Sequence, residues 1–179
     1  VEEYQQILVH DHDKTYYNYG SRHQECLAHV LRYLQDSVEN EPEPDYTWNR
    51  KMKDLLTSII HDRKQSNNKI NQDQILVYEE LYDEILLLAK SEYGKKPPSK
   101  YYRDGFNLFK RMREYRDNHL LFLHNPDVEH TDNISERGLR KYKRKQSQAV
   151  TFRSNASVTY LCDSMSVLET KRLQGENIF

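Results

Sequence analysis

Three segments between residues 48 and 122 carry apolar side chains at helical spacing, and they dictate most of what this chain can become. Trp48, Met52, Leu55 and Ile59 step by 4, 3 and 4. Ile75, Tyr78, Tyr82, Ile85 and Ala89 repeat the pattern behind Asn71, a residue suited to cap a helix, with Gln74 three positions on. Leu108, Met112, Tyr115, His119 and Phe122 form a third stripe, broadened by Phe106 and Phe109. At 3.6 residues per turn each set lies on one face of a helix. The stripes are wider than the two-position seam of a coiled coil, so they predict a shared core, an antiparallel bundle, rather than a dimer seam or a cofactor box.

The flanks read differently. "QQILVHD" (5–11) holds an apolar trio between polar neighbours and predicts a short buried strand. "SRHQECLAHVLRYLQDSVEN" predicts a short strand entering a helix at about Cys26, ending before "EPEP". After the bundle, "PDVEHTDN" reads as a loop, and Thr131 or Asn133 can cap a helix from Ile134 through Lys145. "QAVTFRS" predicts a strand and "SVTYLCDSMSVLETKRL" a closing amphipathic helix. The order strand, helix, helical block, helix, strand, helix predicts a helix-rich α/β fold, with residues 1–40 and 126–179 forming a core that a helical insertion, 41–125, interrupts. An interior strand needs neighbours on both edges and only "VEEY" precedes this one, so the chain is expected to be the carboxyl-terminal part of a longer protein.

Charge and cysteine usage narrow the class. The 179 residues sum to a formal charge of −1, yet Arg137, Arg140, Lys141, Lys143, Arg144, Lys145 and Arg153 occur between 137 and 153 without a single acid. The basic character is therefore local, and an anionic partner such as nucleic acid is expected there. Cys26 and Cys162, far apart in sequence, suit a reduced, cytoplasmic protein better than a disulfide framework. No stretch approaches the roughly 18 apolar residues of a membrane helix, and no secretion signal opens the chain.

Two carboxylates invite chemistry. Glu136 heads the basic segment, where it can either hold a divalent metal ahead of phosphate-binding cations or sit favourably at a helix start and pair with Arg140 four residues on. Arg137, Lys141 and Arg144 share a face by i, i+4, i+7. Asp11 follows the strand "ILVH" directly, and ligands gather at the carboxyl ends of strands in α/β folds; the alternatives are that it caps a turn, or that Asp13 is the ligand. Cys26 and His29, with His23 nearby, fall short of the four ligands of a structural zinc site and are expected to pack or hydrogen-bond at the helix start. The remaining histidines have no partner visible in the sequence.

"LVHDHDKTYY", "ECLAHVLRYL", "FLHNPDVEHTDNISERGLR" and the segment from "KRKQSQAVTFRS" to the end together resemble the carboxyl-terminal catalytic part of bacterial insertion-sequence transposases of the family numbered sixty-six, of the DDE class. The resemblance runs from about Ile7 to the end and is looser across 40–100. It implies an RNase H-like core whose acidic triad binds two Mg2+ (or Mn2+) ions for cleavage at transposon ends and strand transfer into target DNA, in the bacterial cytoplasm. By motif, Asp11 matches the second aspartate and Glu136 the glutamate, both as catalytic metal ligands. Asn133 and Arg140 stand in the same motif, and Cys26 with His29 matches a CxxH pair ahead of the insertion. DNA is the implied partner, with a homo-oligomer in the active complex.

The sequence departs from the pattern at Asp13 and Asp132. It also has no aspartate in the ten residues before Asp11 to serve as the first acid, so this chain alone is expected to be inactive. Two other readings use the same residues: a different RNase H-like nuclease, and an inactive or domesticated fragment that binds DNA or a protein partner.

Overall fold

The computed structural model describes residues 5–148 and 154–176. β1 (Ile7–His10) and β2 (Arg22–Glu25) pair in parallel, with Ile7 opposite Arg22 and His10 opposite Glu25. A 3-10 turn, Lys14–Asn18, makes the crossover between them. Seven α-helices follow among the described residues: α1 (Leu27–Asn40), α2 (Trp48–Gln65), α3 (Gln72–Lys95), α4 (Asp104–Glu114), α5 (Arg116–His124), α6 (Asn133–Gln148) and α7 (Asn155–Leu173). The described chain is thus helix-rich with a small two-stranded sheet, as the α/β expectation requires. It divides into two compact units, Val1–Asp132 and Asn133–Phe179.

In the first unit the stripes do what their spacing predicts. Trp48, Met52, Ile59, Ile75, Tyr78, Tyr82, Ala89, Leu108 and Met112 are buried in one cluster, joined by Leu27, Val30 and Leu34 of α1. Leu56 and Leu86 are the buried neighbours of the stripe residues Leu55 and Ile85, which pack only partly against the core.

Buried polar groups fix helix directions. Glu92, late in α3, accepts from the backbone N–H groups of Thr47 and Trp48 at 3.0 and 3.1 Å, capping the start of α2 from across the core. Tyr78, early in α3, donates to Asp62, late in α2, so the two helices run antiparallel. Asn71 caps α3 by accepting from Gln74 N–H at 2.8 Å. Gly105 in the first turn of α4 sits where a Cβ would come within 1.8 Å of the Glu41 carboxylate, and this close approach requires glycine.

The third predicted helix is two. Tyr115 ends α4 with φ −108° and ψ 29°, and α5 sets off in a new direction to lie along β2. Gln24 on β2 bridges to the α5 backbone, accepting from Phe122 N–H at 2.8 Å and donating to His119 C=O at 3.3 Å. A straight helix cannot pack α4 on α1 and also meet the strand.

The second unit holds α6 and α7. α6 begins at Asn133 and runs to Gln148, slightly longer than expected. α7 is not the amphipathic helix its sequence suggests: Val158, Leu161 and Met165 are half-buried along one line, but Tyr160, Val167, Leu168 and Leu173 are exposed, and none of its residues is fully buried. The predicted strand "QAVTFRS" has its centre, residues 149–153, outside the described residues.

Candidate functional site

The carboxyl end of β1 delivers Asp11 to a half-buried position. Its Oδ1 accepts from Asp13 N–H at 3.1 Å, so the carboxylate does brace a turn, with one oxygen so used. Asp13 has a job of its own: it caps the 3-10 turn through Thr15 N–H at 2.8 Å, and that hydrogen bond holds its carboxyl below the usual range. Beneath Asp11, His10 is buried and donates from Nδ1 to the Asp11 carbonyl at 2.6 Å while Nε2 meets His23 Nδ1 at 3.2 Å. Burial, then the neighbouring His10, lowers the His23 pKa and favours its neutral form.

Beside this strand end lies a cluster that the sequence did not disclose. Glu25, the last residue of β2, is 1% exposed and receives Arg111 at 2.7 and 3.2 Å, His119 Nε2 at 3.0 Å and Tyr17 O–H at 2.5 Å, with His12 Nδ1 3.5 Å away. Tyr82 O–H lies 2.8 Å from the other nitrogen of His119. Burial alone raises a carboxyl pKa; here hydrogen bonds from His119, His12 and Arg111 outweigh it and hold Glu25 well below the usual range. Histidines without a visible partner in the sequence therefore prove to be members of a buried network. The one available signal was a charged residue ending a buried strand, which demands a partner somewhere.

The segment after α5 is brought back to the same place. Arg63 of α2, buried without a carboxylate within ion-pair reach among the described residues, donates to the carbonyls of Pro126 and Val128 at 3.0 and 2.7 Å and lies over the Phe122 ring. The pinned loop then lets His130 C=O accept from Leu27 N–H at 2.8 Å and Asp132 N–H reach the Cys26 sulfur at 3.5 Å. Cys26 is the cap residue of α1, and its own N–H donates to His10 C=O at 2.7 Å. Burial, and then Asp132, push its thiol up to about 11, so it stays protonated at neutral pH. His29 is half-buried one turn along α1.

In the second unit Glu136 stands in the first turn of α6, with Arg140 at 3.8 Å, the i, i+4 pair its spacing allows. Arg137, Arg140, Lys143, Arg144 and Lys145 are exposed, Asn133 opens the helix and is exposed too, and Lys141 belongs to the same helix. Arg153 lies outside the described residues. Asp11 and Glu136 thus belong to different units. Among the described residues no group of three or more His, Cys, Asp or Glu side chains is arranged as a metal site, and no helix is long and apolar enough to cross a membrane.

The family model described as Transposase IS66 family matches residues 1–159. The chain belongs to this transposase family. No curated protein and no solved structure matches it at a comparable level. Membership gives a transposase-related function in insertion-sequence transposition, for which DNA is the substrate, and the family generally uses a divalent metal. The oxygen donors of Asp11 and Glu136 are of the hard type that magnesium and manganese prefer.

Proposed function

We propose that the chain is the catalytic part of a DDE transposase, with Asp11 as the second acid and Glu136 as the third. Residues 1–40 and 126–179 would contribute to an RNase H-like core, and 41–125 would be its helical insertion. The observation that carries the reading is Asp11 at the carboxyl end of a parallel strand, inside a family match that covers both acids. Asp11 and Glu136 would hold the Mg2+ or Mn2+ ions, which supply Lewis-acid polarisation of the scissile phosphate for end cleavage and strand transfer.

The chain's own residues do the positioning. β1 and the Asp13 N–H fix the Asp11 carboxylate, and the Cys26–Asp132 contact holds the loop that ends at Asp132. Asn133, Cys26 and His29 act as supports. Arg137, Arg140, Lys141, Lys143, Arg144 and Lys145, with Arg153, neutralise DNA phosphates. The setting is the cytoplasm of a bacterial cell, and the working complex is a homo-oligomer on DNA.

Mn2+ titration followed by electron paramagnetic resonance, with duplex DNA present, tests the metal assignment. Asp11→Asn and Glu136→Gln should each weaken Mn2+ binding by about tenfold or more. Unchanged binding in both variants would remove the catalytic reading. The Glu136–Arg140 pair favours a second reading, in which α6 binds phosphates and Glu136 only steadies the helix. DNA affinity that falls steeply with salt but ignores divalent metal would select it.

A further inference from the structure

A cavity of about 820 Å³ opens in the first unit between α1, α4 and the turn that follows Asp11, within the size range of small-ligand sites. Its lining mixes charged and polar side chains with apolar surface, and charges of opposite sign gather toward its two ends. α1 and α4 run antiparallel here, because Gly105 packs on Ser37 and Glu41 while Arg111 reaches Glu25 and the His12 carbonyl. Asp36 and Asp104 therefore line one end, with Arg32 one turn before Asp36 on α1, and Lys14, Lys110 and Arg111 line the other, where Glu114 also contributes. Arg111 is committed to Glu25 and His12, but neither Lys14 nor Lys110 forms an ion pair among the described residues, although the Lys110 ammonium lies over the Phe106 ring at 5.1 Å.

Between the two ends stands Tyr33, 40% exposed, its ring edge-on to His12 at 5.1 Å. Asp36 is held in place by Tyr102 O–H at 2.9 Å and by Asn40 at 3.2 Å, and a carboxylate accepts further hydrogen bonds. The cavity thus offers cations, an aromatic face and carboxylate acceptors in sequence. That order matches a nucleotide: phosphate, flat base, and a base edge carrying an exocyclic amine. The cationic end adjoins His12, the residue after Asp11.

We propose that this cavity receives one unpaired nucleotide of DNA, its phosphate at Lys14 and Lys110, its base on Tyr33 and its amine-bearing edge at Asp36 and Asp104. A paired base shows only its groove edges, so the nucleotide must be single-stranded or extruded from the duplex. The inference rests on the DNA-transposase reading above and adds to it a place for the strand next to Asp11.

Calorimetric titration of the chain with dCMP, dAMP, dTMP and inorganic phosphate tests it, with a 20-base-pair duplex measured in parallel. dCMP and dAMP should bind about tenfold more tightly than dTMP, which lacks an exocyclic amine, and phosphate alone should be weakest. Tyr33→Ala should weaken all three nucleotides by about tenfold, and Asp104→Asn should erase the amine preference while sparing dTMP. Both residues are exposed, and an unchanged unfolding midpoint checks that each variant folds. Phosphate that binds as well as the nucleotides would overturn the proposal, as would mononucleotides that fail to bind while the duplex still does. Failure of the duplex as well would strike the DNA reading itself.

Discussion

The unit Val1–Asp132 and the unit Asn133–Phe179 use similar helical sequence in opposite ways. Every buried residue among those described belongs to the first, where five helices and a strand pair enclose one apolar cluster threaded by buried polar groups. In the second, α6 and α7 touch each other but enclose no fully buried side chain among the described residues. Isolated helices gain little stability from propensity alone, so α6 depends on local pairs such as Glu136–Arg140, whereas α2 and α3 depend on tertiary burial. The lesson is a division of labour: stability is concentrated where the chain builds its core, and charge where it presents a surface.

The buried network of the first unit carries the largest expected effect. Glu25→Ala leaves the Arg111 guanidinium and His119 buried without their acceptor, and should cost about 3–5 kcal/mol in urea unfolding, with loss confined to the first unit. A loss below about 1 kcal/mol would show that the network contributes little beyond a well-packed core. Gly105→Ala comes next. The added methyl meets a Glu41 carboxylate that Tyr93 and Ser37 hold at 2.7 and 3.0 Å, and should cost about 1–3 kcal/mol.

Acid titration sharpens the same contrast. The folded pKa of Glu25 lies below its unfolded value, so as pH falls the unfolded chain takes up the proton first. The stability Glu25 contributes is present above about pH 4.3 and is lost as pH drops below it. Glu25→Gln should flatten that acid limb relative to the parent chain, read as unfolding midpoint against pH. His23 and His130, both lowered chiefly by burial, act in the same direction from about pH 6.5 downward. The smallest structural effect belongs to α6: Arg140→Ala removes one exposed pair and should change stability by about 0.3–0.5 kcal/mol at most. The same substitution should lower the salt slope of DNA binding by about one, the signature of a lost phosphate contact.

Much of the first unit is legible in sequence because its signals are local. The Asn71 cap with Gln74, the strand Ile7–His10 and the buried faces of α2 and α3 follow from spacing within one or two turns. The family motifs around Asp11 and Glu136 are also read directly, since each is a short run of residues. The break at Tyr115 is not legible: the stripe continues through it, and only the need to lay α5 along β2 turns the chain. Nor does anything near Glu25 announce its partners, which come from positions 12, 17, 111 and 119.

By itself, then, the sequence determined which segments are helical, which faces of α2 and α3 turn inward, where positive charge accumulates and which family the acids resemble. Tertiary structure alone decided that Glu25 is the hub of the strand end, that Arg63 pins the loop leading to Asp132, and that α1 and α4 leave a cavity lined by His12, Tyr33 and charges of both signs. The physical reason is one of range. Periodicity and capping are set by neighbours three or four residues away, whereas a buried charge must be satisfied by whatever donors the fold brings within about 3 Å, from any distance along the chain.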